Sequence, residues 1–549
     1  MFNLKLSEKT KSWIWLLPIL IVSLVFILDP RYFTSSPLRS DDWDHLVFPA
    51  IFDQISFIDL GNRRPLLTSL LALLSPLFGL HIAWYYVINW LVIFLSAVVV
   101  FLIIKQAFPK FSWLALPTVL IYLIYPVNYA RTWLVTVVNS LALLIALISV
   151  LLIVQYVQTG KLMKLIFANL LFLVSLSAYE IGFGIVMLAA ILISLFHKGI
   201  PVKRRYLIGT ILLTGVIFLI WRIYVQPKLF VVEDNYLASL DLSIIVMFRR
   251  YVQGLFIFLF NWIGPFLIGF GDHKYWVFVG LGGVIVSGFI IALPKLINKA
   301  KSDFGANYRE WIARIKGFIK LSLIGGLFWA AGYIPVIFLW QPAFYGDSSR
   351  VNIAAIPGAA LGLTAGIAGL KTFVFRKGIK IRNALIIMVM VLVVLGMAYQ
   401  IHSQNIRFRV WEINKEFYRM TFGKIPGIMS GTKVVIVIPG YEELEPFEIL
   451  PFRGDWEAES ALRVLYNNPE LFAEYYYLDN PSHPDNWIPQ DSDLSRFIFV
   501  YFDPENSEIR IIEDPELALS LPFKAVAYDP DSRIVPFEFE MGKYRFLVE

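Results

Sequence analysis

The residue types able to do chemistry gather first between Arg39 and Pro65, in a segment reading RSDDWDHL and, further on, DLGNRRPLL. Asp41, Asp42, Asp44 and His45 stand almost side by side, and Arg63 and Arg64 close the same loop. A carboxylate here could take a proton from a hydroxyl, and an arginine could hold two phosphate oxygens at once. Charge beside a bilayer is costly unless solvated or paired, so such a cluster is a functional-site candidate by default. The bland reading of Asp41 and Asp42 is a solvated loop. Arg63 and Arg64 could equally anchor an interfacial helix that starts at Pro65. His45 reads more readily as structural or solvated than as a ligand. The same acids and His45 could supply ligands to a divalent metal, although no spacing is diagnostic.

Three more polar clusters interrupt apolar sequence. The first is Asn128-Tyr129-Ala130-Arg131-Thr132-Trp133, in a very short turn. The second is Ala178-Tyr179-Glu180, where one carboxylate ends an apolar run. The third is Phe344-Tyr345-Gly346-Asp347-Ser348-Ser349-Arg350. Arg350 and Arg131 are candidate anion-binding cations, with a snorkelling rim arginine as the alternative for Arg350. Glu180 has two readings: an active-site carboxylate, or a buried partner of an arginine that fixes helix packing. Small residues follow Arg350 (Ala354, Ala355, Gly358, Ala359), a pattern that would let a lipid approach closely.

These clusters must be positioned by a membrane-embedded scaffold. The chain has 549 residues, 58% of them hydrophobic, and its mean hydropathy is +0.67. That excludes an ordinary soluble protein and implies an α-helical polytopic one. With no cysteine, disulfides, thiolate metal sites and cysteine nucleophiles are excluded. The net charge of +7 conceals an asymmetry. Residues 433–549 carry 24 acidic and 9 basic side chains, against 17 acidic and 39 basic in the remainder. The basic surplus orients spans, and an acidic tail argues against nucleic acid as a partner.

Runs of spanning length lie near 12–28, 84–104, 112–126, 132–154, 165–181, 182–196, 206–225, 276–294, 318–340, 353–370 and 383–400. The stretches 65–80 and 252–270 could be spans or interfacial helices. Basic clusters at Lys5–Lys11, Lys105–Lys110, Lys161–Lys164, Lys198–Arg205, Lys295–Lys320 and Lys371–Arg382 all become cytoplasmic if about eleven runs cross. The N-terminus is then inside, the tail outside, and all four polar clusters share the outer face. Asp29-Pro30-Arg31 follows the first run in place of a small-residue cleavage site, so a retained anchor is expected.

The chain divides near residue 400. In 401–549, VVIVIPG (434–440) and FIFVYFD (497–503) read as buried strands, the latter opening a hairpin, and 456–466 reads as an amphipathic helix. A small α/β or α+β domain outside the cytoplasm is expected, with no phosphate-loop motif and no repeat.

The clusters fall in the order seen in polytopic GT-C glycosyltransferases, which use polyprenyl-phosphate-linked sugars. The Asp41-Asp42 pair resembles that family's acidic first loop. GNRRPLL (61–67) resembles the element that follows it in bacterial members and in the tetratricopeptide-linked O-mannosyltransferases. YPVNYARTW (125–133), AYE (178–180) and SSRVNIAAIPG (348–358) are similar to later landmarks, across roughly residues 10–400. The chain lacks the helical repeats of the tetratricopeptide-linked group.

The resemblance implies a GT-C-like membrane domain in the plasma membrane. Sugar would pass from a lipid phosphate to a glycan, lipid or protein acceptor. Asp41 or Asp42 would be the base, with Glu180 in the catalytic set. Arg350, Arg131, Arg63 and Arg64 would be drawn on for the phosphate, and Asp44, His45, Trp133 and Tyr345 for substrate. Two other classes compete. A transporter or flippase of a lipid-linked saccharide would place ionisable groups at mid-membrane and show repeated halves. An assembly factor or sensor would work through its outer domain alone.

Overall fold

Hydrocarbon offers backbone N–H and C=O groups no partners, so apolar runs of this length must close their hydrogen bonds internally as helices. The computed structural model describes residues 16–35, 37–38, 42–52, 58, 64–67, 69–196, 201–229, 243–262, 308–335, 337–338, 342, 347–374, 380–438, 455–477, 496–504 and 506–512. It is the structure of a helical membrane protein with a small sheet near its C-terminus.

Among the described residues, six helical stretches are long and apolar enough to cross a membrane, and four shorter apolar helices accompany them. The chain opens with α1 (Leu16–Ser23), extended by a 3-10 turn to Phe26, and α2 (Arg31–Thr34). A π-helical turn (Trp43–Val47) leads into the one-turn α3 (Phe48–Ile51). Next come α4 (Ser69–Phe78), α5 (Ile82–Ala107), α6 (Ala115–Ile124), α7 (Val137–Thr159), α8 (Leu162–Ala178) and α9 (Phe183–Phe196). α10 (Pro201–Ile220) passes through a second π turn (Trp221–Val225) into α11 (Gln226–Leu229). α12 (Ile244–Phe260), α13 (Tyr308–Tyr333), α14 (Ile356–Val374) and α15 (Lys380–Lys424) complete the helical part. The expected span at 276–294 lies outside the described residues.

Of the two ambiguous stretches, 65–80 holds a short helix and 252–270 is described only as far as residue 262. α4 has ten residues, with Pro76 inside. At ~1.5 Å per residue it is too short to cross ~30 Å of hydrocarbon. α12 bonds to the end of α13 and to the residues just beyond it. Its Arg250 donates to the Ile337 carbonyl at 2.6 Å and its Tyr251 hydroxyl to that of Ala330 at 3.2 Å. Ile244, Ile245 and Phe248, in its first turns, are exposed.

The small residues after Arg350 have a packing role. α14 lies against α13 so closely that a Cβ on Gly358 would stand 2.2 Å from the Trp329 backbone nitrogen, and one on Gly325 2.3 Å from that of Gly362. Ala354 and Ala355 are fully buried. The stripe is therefore a helix–helix seam of the small-residue type found in membranes, rather than the lipid-facing surface the sequence suggested.

α15 is 45 residues long, or ~67 Å at ~1.5 Å per residue. It carries the chain through residue 400 without a break, and its far half joins the tail. There a four-stranded sheet has the order β2-β1-β3-β4. β1 (Lys433–Ile438) lies parallel to β2 (Phe472–Tyr477), with Lys433 opposite Phe472, and parallel to β3 (Phe497–Asp503), with Lys433 opposite Phe497. β4 (Glu508–Ile511) returns antiparallel on β3, as the hairpin reading expected. α16 (Asp455–Leu465) crosses between β1 and β2 and buries Ala458, Ala461, Leu462 and Leu465. Parallel neighbours need such a crossover.

Candidate functional site

The turn between α6 and α7, residues 125–136, is irregular backbone that is nevertheless buried. Its peptide groups must find partners, and side chains from distant elements supply them. Asn261 donates to the Pro126 carbonyl at 2.6 Å and Asn352 to that of Val127 at 2.6 Å. Asn89 on α5 donates to the carbonyls of Arg131 at 3.1 Å and Trp133 at 3.4 Å. Gln400 on α15 reaches the Tyr125 carbonyl at 3.4 Å. In the other direction, the Ala130 N–H donates to the Ser349 hydroxyl at 3.1 Å. The Val135 N–H donates to the Asp42 carboxylate at 2.9 Å.

This turn, itself one of the polar clusters, is bonded to two others. Asp42 comes from the first loop and is 1% exposed. Ser349 and Asn352 come from a 3-10 segment, Asp347–Ala355, which also bears the partly exposed Arg350. That segment packs on the Tyr129–Thr132 turn, on the Glu180–Gly182 turn and on α7. Tyr333, at the end of α13, donates to Asn352 at 2.7 Å and fixes its amide.

Glu180 sits between two arginines. Its Oε2 accepts from Arg64 Nε at 3.0 Å and its Oε1 from an Arg222 terminal nitrogen at 2.9 Å. The three side chains are 18–23% exposed. Arg64 stacks on the Tyr179 ring, 3.7 Å from its centroid, and Arg222 also donates to Gln226 at 3.2 Å. The Leu66 N–H donates to the Ser177 carbonyl at 3.1 Å, pinning the segment that carries Arg64 to the end of α8. One carboxylate thus bridges two guanidinium groups. Arg222 was not singled out in the sequence. It lies inside an apolar run, and only the π turn Trp221–Val225 marks its place, a rare element often found at functional sites.

Arg131 plays a different part. It is 2% exposed, and one terminal nitrogen donates to the carbonyls of Tyr122 at 3.1 Å and Leu123 at 2.7 Å. Its guanidinium lies 5.0 Å from the Phe26 ring and 5.1 Å from that of Tyr122. It neutralises the last carbonyls of α6, where a cation also complements the helix dipole. Trp133 is buried, with the Arg407 guanidinium 5.6 Å from its ring.

Asp41, Arg63 and Tyr345 lie outside the described residues, and for Asp44 and His45 only the backbone is described, within the π turn. Among the described residues, no three His, Asp or Glu side chains gather as metal ligands. The arrangement thus links a buried acid to a turn, the turn to an arginine-bearing 3-10 segment, and that segment to the turn holding the Arg64–Glu180–Arg222 ion cluster. No family model matches the chain, and no curated protein does either.

Proposed function

We propose that the chain is a GT-C-like membrane glycosyltransferase that moves a sugar from a polyprenyl-phosphate donor to an acceptor hydroxyl. The observation that carries this reading is that Asp42 and Ser349 both bond to one turn, while the Glu180 turn packs on the same 3-10 segment that bears Ser349 and Arg350. In this reading eleven helices cross the plasma membrane, the N-terminus is cytoplasmic, and the site and tail lie outside.

The chemistry suits the residues. The acceptor oxygen attacks the anomeric carbon while a carboxylate of the Asp41–Asp42 pair takes its proton. The bond from that carbon to the phosphate oxygen breaks, and the lipid phosphate leaves with the electron pair. Negative charge grows on that phosphate, so pre-placed cations lower the barrier. Arg350, on the 3-10 segment packed on the turn, and Arg64 and Arg222, both bonded to Glu180, are the cations this reading draws on. Glu180 holds that pair, and Arg131 braces the turn. An acceptor that is a glycan, a lipid or a protein would approach from the tail side.

The test is transfer from synthetic polyprenyl-phosphate sugars in nanodiscs. Product formation that vanishes in the Asp41→Asn, Asp42→Asn double variant supports the reading. Movement of intact donor across the bilayer, with its sugar–phosphate bond unbroken, would make the chain a transporter instead.

A further inference from the structure

Residues 43–51 pose a structural problem. The π turn and the single turn of α3 have no side-chain caps. Helical pieces this short do not persist alone, and π geometry is rare. Yet Asp42, whose carboxylate is tied to Val135, begins this segment. Something must hold it from the other side.

The tail domain occupies that side. Trp43 is fully buried, its ring centroid 6.4 Å from that of Trp411 and 5.8 Å from that of Tyr418. Trp43, Leu46, Val47 and Phe48 share one core with residues of β1 and α16. Arg463 on α16 donates to the Leu471 carbonyl at 2.6 Å and pairs with Glu459 at 2.8 Å. Its guanidinium, fixed in this way, lies 5.7 Å from the Phe48 ring. α16 is locked to α15 in turn, because Asn414 donates to Glu457 at 3.1 Å with both side chains buried.

We propose that the tail domain is a positioning element for the first polar loop, with Arg463 as its positioning residue: it clamps residues 43–51 from the side opposite the bundle and thereby keeps Asp42 in place. The proposal draws on the transferase reading only for its activity arm.

The test uses the full chain in nanodiscs, with one cysteine at Ala50, half-buried in α3, or at Thr159, exposed at the end of α7, as reference. Arg463→Gln should speed thiol labelling at position 50 about tenfold or more by freeing a local opening, with Arg463→Lys in between and position 159 unchanged. Phe48→Leu should give the same acceleration. Unchanged labelling at 50 in both variants overturns the proposal. Should a variant unfold the tail, seen as lost hydrogen-exchange protection in β3, labelling at 50 must be fast. A protected position 50 beside an unfolded tail overturns the proposal equally. In the activity arm, kcat falls with the donor KM unchanged. A wild type without transfer defeats the transferase reading and leaves the labelling result standing.

Discussion

The Asp42 carboxylate accepts the backbone N–H of Val135 at 2.9 Å, across 93 positions of sequence. This acid of the first loop is thereby bonded to the same turn as Ser349 and Asn352. Asp42→Asn retains an oxygen to accept the Val135 N–H but loses the basic carboxylate. Transfer should drop roughly 10²–10⁴-fold if Asp42 is the base, with thermal stability close to wild type. Undiminished turnover in the double Asn variant at 41 and 42 would remove the pair from the chemistry.

Arg350 should be sensitive to geometry as well as charge. Guanidinium binds two phosphate oxygens in a fixed fork, whereas lysine is a compact point charge. Arg350→Lys should therefore lower turnover and Arg350→Ala lower it further, with kcat falling at least as clearly as donor affinity. Rates against donor concentration for the three proteins check this. Wild-type kinetics in the Ala variant would leave Arg350 as a rim residue.

The Glu180 trio predicts an asymmetry in stability. Glu180→Gln leaves two guanidinium groups facing each other without their carboxylate, at a cost of about 1–3 kcal/mol. Arg222→Gln leaves Glu180 its bond to Arg64 and should cost less. Thermal unfolding in detergent orders the two, and the reverse order would show that the trio's charge balance does not govern this end of the bundle.

Gly358→Ala should wedge α13 from α14, since its Cβ would stand 2.2 Å from the Trp329 nitrogen. Overpacking of this kind costs about 1–3 kcal/mol. Gly326→Ala adds a Cβ with nothing within 4 Å and should be tolerated. Equal melting temperatures for the two variants would argue against the seam.

The side of the tail is checked with a cysteine at Ser482, in a chain with no native cysteine to interfere. Labelling of intact cells by an impermeant thiol reagent is expected. Labelling only after lysis would reverse the orientation and move every proposed site to the cytoplasmic face.

Much of the scaffold was legible because a bilayer leaves apolar runs few choices. The expected run at 132–154 is matched by Val137–Thr159, and the expected strand 497–503 by Phe497–Asp503. β2, FAEYYY, escaped notice because its polar and aromatic pattern is weak beside a run such as VVIVI. The site was legible as a set of clusters and illegible as a set of partners. Arg131 reads in sequence as an available cation, but its role depends on the α6 carbonyls that fold back to meet it. Arg222 hides within a hydrophobic run, and only tertiary structure brings it to Glu180. The small residues beyond Arg350 fit a lipid or a neighbouring helix equally well by composition, and α13 decides for the helix.

The long helix α15 ties bundle and tail together by rotational phase. Gln404, Trp411 and Tyr418 recur every seventh residue along it, and all are buried. Gln404 donates to the Val25 carbonyl in the bundle at 3.0 Å, Trp411 to the Ser35 carbonyl at 3.0 Å, and Tyr418 packs on Trp43. One residue inserted between Gln404 and Trp411 would turn everything beyond it by ~100°, whereas seven would restore the face to within ~20°. The number of residues between these contacts, and not only their identity, sets which way the tail faces the loop that carries Asp42.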